Sequence, residues 1–309
     1  PRRQRQMCIR DRLTTVLGVT TSLGLGTEQI SSGLSYIFSL TESFSNKLII
    51  IFVITLIGLI SVCLGLDKGI KRLSQINMIL ASSLMLFIFL FGPTIFILNA
   101  LIQNLGSYLN TIIESATWTE AYDKTSWQNG WTLFFYTWWF AWAPFVSLFI
   151  ARISYGRSIK EFIIGVLFVP SFIVFLWMGI FGNAAIYQVI NETSQINEIV
   201  NNNYTVALFA LFDVYPISQV ISIISLVLIV TFFVTSSDSG ALVASMLSSK
   251  KNTSIHSDSP LISRITWAIL LGIVAAVLLY KGGLVALQTS VVITGVPFSI
   301  IVVFAIRQF

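Results

Sequence analysis

The chain is poor in charge, cysteine and histidine. Only 10% of its 309 residues are Asp, Glu, Lys or Arg, against roughly 25% in a soluble globular domain. That excludes an ordinary water-soluble fold. Two cysteines, Cys8 and Cys63, exclude a disulfide framework and a cysteine metal centre. The single histidine, His256, lies in a polar stretch and is expected at a solvated surface. No His, Cys and carboxylate cluster is therefore at hand for metal-assisted or nucleophilic catalysis, which argues against an enzyme embedded in a membrane. The net charge of +5 does not point to nucleic acid. Five of the 18 basic residues fall in the first 12 positions and the others sit in short loops, as the positive-inside rule expects of a membrane protein.

What remains is apolar. Hydrophobic residues make up 55% of the chain and the mean hydropathy is +0.85. This composition predicts an all-α polytopic membrane protein with about eight spans of roughly 20 residues each. The spans are expected at 13–40, 48–66, 76–98 (bent or ended near Gly92 and Pro93), 131–150, 162–181 (with a kink at Pro170), 206–247 (long or broken), 265–279 and 284–306. The polar stretch 99–130 is expected to carry a short surface helix. Residues 1–12 read as a non-native, adapter-like segment, with a native basic loop as the other reading. With loop 67–75 inside, ten basic residues face inward (Lys68, Lys71, Arg72, Arg152, Arg157, Lys160, Lys250, Lys251, Arg264, Arg307) and three outward (Lys47, Lys124, Lys281). That bias places both ends in the cytoplasm.

Five of the eight tryptophans crowd into one span and its approach: Trp127, Trp131, Trp138, Trp139 and Trp142. At helical spacing, Trp131, Phe135, Trp138 and Trp142 form a stripe, with Trp139 about 100° round from Trp138. Trp131 fits the membrane interface, but the other three stripe-region indoles, Trp138, Trp139 and Trp142, lie too deep for it. Composition leaves two roles open: packing against other helices, or an aromatic box for a quaternary ammonium ion held by cation–π attraction.

Two further stretches stand out. The segment G-V-T-T-S-L-G-L-G at 18–26 crowds small residues and hydroxyls into the first span, followed by Glu28. An acid there marks a functional site or the outer mouth of the span. The segment F-F-V-T-S-S-D-S-G-A at 232–241 sets Asp238 in an apolar helix, where it must face protein or water. The two segments read alike, as motifs on oppositely directed helices of an inverted repeat do. Ser and Thr in such positions either bond to their own helix backbone or offer oxygens to a cation.

The wording W-T-L-F-F-Y-T-W-W-F-A-W-A-P-F-V-S-L-F-I-A-R-I-S-Y-G-R-S-I-K-E-F at 131–162, with the segment at 232–241 and L-L-Y-K-G-G-L-V-A-L-Q at 278–288, closely resembles the betaine/carnitine/choline transporter family. The resemblance runs over about 13–309 and covers the last eight of the family's twelve spans, so the chain is expected to be a fragment. It implies a five-plus-five inverted-repeat symporter fold: 13–100 the last three helices of the first repeat, 101–130 an extracellular loop, 131–309 the second repeat. It implies a substrate site of Trp138, Trp139, Trp142, Phe134 and Tyr136, with Trp139 the foremost box residue. Tyr136 stands where relatives often carry Trp. It implies one sodium site using the Phe232 carbonyl, Thr235 and Ser236, and a second using Thr20, Thr21, Ser22 and Phe145. The implied activity is sodium-coupled uptake of glycine betaine, choline or carnitine by a plasma-membrane homotrimer. Sodium would be the coupling ion, with no other metal or cofactor and no nucleic acid. A sodium-independent antiporter of the same family is the alternative. A cation channel is the other, although no ring of charges or pore-loop repeat is visible.

Overall fold

The computed structural model describes residues 2–65, 69–123, 125–248 and 259–306. Asp67, Lys68, Lys124, Lys250, Lys251, His256 and Arg307, on which several of the loop expectations rest, lie outside the described residues. The described chain is a bundle of α-helices: α1 (Arg2–Phe38), α2 (Phe44–Gly65), α3 (Lys71–Phe91), α4 (Thr94–Thr117), α5 (Phe134–Ile153), α6 (Ile159–Ile163), α7 (Val169–Ile190), α8 (Ile196–Asn202), α9 (Ala207–Phe212), α10 (Ser218–Ser248) and α11 (Leu261–Ile306). A π-helical turn at Gln128–Leu133 leads into α5, and another at Ile164–Phe168 joins α6 to α7.

Six of these stretches, among the described residues, are long and apolar enough to cross a membrane. The expectation of about eight spans differs for two physical reasons. The 46 residues of α11 would extend about 70 Å as one helix, more than twice the hydrocarbon core. It is two helices joined at Gly283, whose φ of 57° and ψ of −144° break the helical path; such a backbone angle is open to glycine and strained for other residues. Conversely, α1 is too polar to qualify by hydropathy, and protein rather than lipid surrounds it. Thr14, Thr15, Thr20, Thr21, Ser22, Thr27, Ser31 and Ser32 are all buried, against α2, α5, α10 and α11.

Several expected boundaries shift. The third span ends at Phe91, at the expected Gly92–Pro93 break, because Gly92 is extended (ψ −169°) and Pro93 restarts the chain as α4; residues up to 98 belong to that next helix. The surface helix expected within 99–130 is instead the 24-residue α4, with Ile97 its one buried residue. The fifth span runs through Pro170 to Ile190, and Pro170, which has no N–H to donate to the preceding turn, follows directly on the π-helical turn at Ile164–Phe168. The stretch 206–247 is broken, with a turn at 213–217 between α9 and α10. Arg264 is no loop cation: it lies inside α11, is buried, and donates to the Val62 carbonyl at 3.3 Å.

The helices α1 and α10 run antiparallel in a regular register. Arg12 donates to the Leu247 carbonyl from Nε at 2.9 Å. A Cβ added at Gly240 would come within 2.8 Å of Val19, one at Gly26 within 2.3 Å of the Phe233 ring, and one at Gly33 within 3.1 Å of Leu226. Each advance of seven residues along α1 is matched by seven back along α10. A seven-residue repeat keeps one face of each helix on the other, and glycine at three successive contacts of the four lets the backbones close up. Arg12, inside the segment expected to be non-native, places a positive charge at the C-terminal end of α10, the favourable end for a cation.

Candidate functional site

Beside this seam, α1, α5 and α10 enclose a cavity of about 160 Å³ lined by Ser22, Trp138, Trp139, Trp142, Phe233 and Ser236. No charged residue lines it. Its aromatic side is built by the stripe read in the sequence. Trp138 stacks on Phe134 (ring centroids 5.4 Å apart, planes 16°) and stands perpendicular to Trp142 (6.3 Å, 86°). Trp142 in turn meets Phe145 edge-on at 5.5 Å. Both indole N–H groups, Trp138 Nε1 and Trp142 Nε1, donate to the Gly18 carbonyl at 3.2 Å. Trp139 lies across the mouth, 70% exposed, with its other side forming a second hollow with Phe135, Tyr136, Phe140 and Ala143.

The sequence-predicted residues divide accordingly. Trp138, Trp139 and Trp142 come together at the cavity. Phe134 is buried behind Trp138, and Phe145 behind Trp142, so both support rings rather than line space. Tyr136 is 65% exposed and belongs to the outer hollow.

Of the hydroxyl set on α1, only Ser22 reaches the cavity. Thr20 donates to its own helix at Val16, 2.8 Å away. Thr21 donates across to the Leu287 carbonyl of α11 at 3.1 Å. On α10, Ser236 lines the cavity beside Ser22. Thr235 and Ser236 both donate to the Phe232 carbonyl, at 2.8 and 3.1 Å. Thr235 also accepts from Asn77 Nδ2 on α3 at 3.3 Å, and the Asn77 Oδ1 beside it is buried without a partner. Asn77, Phe233 and Gly18 are site residues that sequence reasoning missed. Asn77 is 158 positions from Thr235 and has no motif around it, and a main-chain carbonyl has no letter in the sequence. Phe233 and Gly18 carried a signal, as parts of the quoted segments at 232–241 and 18–26.

The two acids resolve differently. Asp238 faces protein: it is fully buried and accepts from Ser61 Oγ at 2.5 Å and Ser239 Oγ at 3.1 Å. It holds α10 to α2, away from the cavity lining. Glu28 is paired with Lys47, Nζ to Oε2 2.5 Å, an ion pair joining α1, about three turns before its end, to the first turn of α2. Outside the spans, Glu120 caps the entry to the Trp helix. Its carboxylate accepts the backbone N–H of Trp127 (3.0 Å) and Gln128 (2.9 Å), and the hydroxyl of Thr125. The Thr125 bond and then the backbone N–H bonds hold its carboxyl below the usual glutamate range.

Such a site can hold a compact cation through ring faces, with oxygens at one edge, and carries no acid or base to do chemistry on it. The fold defines a polytopic membrane protein, and the cavity inside its helix bundle is a candidate small-solute site. Residues 11–309 match the profile described as BCCT, betaine/carnitine/choline family transporter. The chain is 41% identical over 288 residues to the glycine betaine transporter of Acinetobacter baylyi, covering 93% of this chain and 43% of that protein. It is 43% identical over 297 residues to the glycine betaine transporter OpuD of Bacillus subtilis (95% and 56%). It is 39% identical over 291 residues to the high-affinity choline transport protein of Escherichia coli (94% and 43%). The chain thus spans about half the length of these curated relatives. It belongs to the BCCT family of transporters.

Proposed function

We propose that these helices form the ion and substrate half of a secondary transporter for quaternary-ammonium solutes, of the glycine betaine, choline or carnitine type. The observation that carries this is the uncharged, mostly aromatic cavity lined by three tryptophans and Phe233, with Ser22 and Ser236 at its edge. A quaternary ammonium has no N–H to donate, so ring faces and shape must recognise it. Sodium is the proposed coupling ion. Ser22 and Ser236 offer hard oxygens at the cavity edge, and Thr235, Asn77 Oδ1 and the Phe232 carbonyl offer more just beyond it. Thr20, Thr21 and Phe145 do not line the cavity and are proposed, with Ser22, as a second sodium site beside it; Thr20 donates to Val16 and Thr21 to Leu287, which leaves their oxygen lone pairs for a cation. Uptake follows from helices rocking about this site, within two inverted repeats at 13–100 and 131–309. The antiparallel course of α1 and α10 supports that reading. We further propose a plasma-membrane homotrimer with both ends of this segment cytoplasmic.

One observation favours a second reading, sodium-independent exchange. The Phe232 carbonyl already accepts the Thr235 and Ser236 hydroxyls, which leaves that oxygen less free to hold a cation. Uptake of radiolabelled betaine, choline and carnitine by the whole-length transporter carrying this chain, with and without sodium, separates the readings. Saturable uptake that requires sodium is the expected result. Saturable exchange indifferent to sodium selects the antiporter, and unsaturable flux selects a channel and removes the proposal.

A further inference from the structure

One main-chain atom joins the two halves of the cavity. The Gly18 carbonyl oxygen accepts the N–H of Trp138 at 3.2 Å, the N–H of Trp142 at 3.2 Å and the hydroxyl of Ser22 at 3.1 Å. By helix geometry the same oxygen also accepts the backbone N–H of Ser22. An indole has a single donor, so both rings take their orientation from this one acceptor. They reach it because α5 lies directly against α1 there. A Cβ at position 18 would stand 3.1 Å from Trp142 Cδ1 and 3.3 Å from the Ala141 carbonyl carbon. Ala141 is fully buried against α1 at this contact.

Ser22 lines the cavity with the same two tryptophans. A cation resting on its oxygen lone pairs leaves its hydrogen directed away from the cation, towards Gly18. The hydroxyl is then a more polarised donor and is held in one rotamer, and hydrogen bonds that share a buried acceptor are not independent. We propose that the Gly18 carbonyl is a positioning group that couples the Ser22 hydroxyl to the orientation of Trp138 and Trp142. Sodium at the hydroxyl edge thereby sets the affinity of the ring faces for a quaternary ammonium. This rests on the transport reading above. Linkage requires the coupling to be mutual: bound solute tightens sodium by the same factor.

The test uses the whole-length transporter in detergent, with glycine betaine as the probe. Its Kd is titrated across sodium concentrations, and the fold-change that sodium produces is the quantity read. Trp138→Phe and Trp142→Phe each keep a ring and lose the N–H. Each is expected to cut the sodium-induced fold-change at least threefold, and to remove a hydrogen-bonded indole N–H component from the ultraviolet resonance Raman spectrum. Ser22→Ala is expected to abolish the sodium effect and Ser22→Thr to restore it, which keeps the test open should a Trp variant fold poorly. An unchanged sodium-induced factor in both Trp variants overturns the coupling. So does wild-type protein that binds glycine betaine with no response to sodium, and in that case the substrate reading survives. Wild-type protein that binds no quaternary ammonium at all removes the transport reading and the coupling together.

Discussion

At the scale of single residues, Trp139 and Trp138 show how differently two neighbouring indoles are used. Trp138 has its N–H on Gly18 and one face on Phe134, so it is part of the wall. Trp139 is 70% exposed and touches the cavity from its mouth. Removing it leaves the core intact, so a loss of binding on replacement reports recognition rather than folding. Trp139→Leu is expected to weaken quaternary-ammonium binding by about 1–2 kcal/mol, the value of a partly desolvated cation–π contact; isothermal titration that finds an unchanged Kd makes Trp139 a packing residue. Thr235 stands between Phe232 and Asn77. Thr235→Ala is expected to raise the sodium concentration needed for half-maximal uptake severalfold, and an unaltered sodium dependence takes Thr235 out of the ion site. The tryptophan stripe was legible because it is made of side chains at helical spacing. The oxygens around Thr235 were only partly legible, because Asn77 arrives from another helix.

At the scale of helices, the contact of α1 with α10 decides what the hydroxyl-rich motifs can do. With Gly26 on Phe233 and Gly240 on Val19, Ser22 and Ser236 are brought to the same edge of the cavity. Gly26→Leu inserts a side chain where even a Cβ would lie 2.3 Å from the Phe233 ring. It is expected to destabilise the protein by about 1–3 kcal/mol, as overpacking does, seen as a lower midpoint in thermal unfolding in detergent; an unchanged midpoint would mean the two helices have room to part. The start of the Trp helix depends on Glu120 in another way. Its carboxyl is held below the usual glutamate range by the Thr125 hydroxyl and the backbone N–H groups it accepts. A group whose folded pKa is depressed stabilises above its unfolded pKa and loses that contribution as pH falls through the folded one. The cap is therefore expected to hold at neutral and mildly acid pH and to open only at strongly acid pH. Amide hydrogen exchange at Trp127 and Gln128 measures this, and Glu120→Gln should show fast exchange already at neutral pH. Protection that does not change with either perturbation refutes the cap.

At the scale of the whole molecule, the most polar long helix is, with α10, among the most enclosed of the described helices. The eight buried Ser and Thr of α1 are surrounded by α2, α5, α10 and α11, whose outward faces carry the apolar surface. That arrangement suits a bilayer, where lipid covers apolar faces and polar groups must find partners inside the protein. The proposed orientation puts the loop 154–158 in the cytoplasm and the loop 191–195 outside. Single cysteines placed at Arg157 and Thr193 of the whole-length transporter, in a background with every other cysteine, Cys8 and Cys63 among them, replaced, are expected to react with a membrane-impermeant maleimide in intact cells at 193 alone. Labelling at 157 alone reverses the orientation.

Hydropathy and residue spacing by themselves determined the all-α membrane class, the aromatic helix and the two hydroxyl-bearing segments, because each of these is a periodic property of neighbouring side chains. The need for Asp238 to face a partner was equally readable, since no charge is stable in hydrocarbon alone. Only the tertiary structure decided that Ser22 and not Thr20 or Thr21 meets the cavity, that Phe134 and Phe145 stand behind the rings, and that Gly18 holds two indoles at once. Those outcomes depend on which way each helix is turned and on the register between α1, α5 and α10. Both are set by how closely backbones approach at glycines, and a one-dimensional pattern does not record that distance.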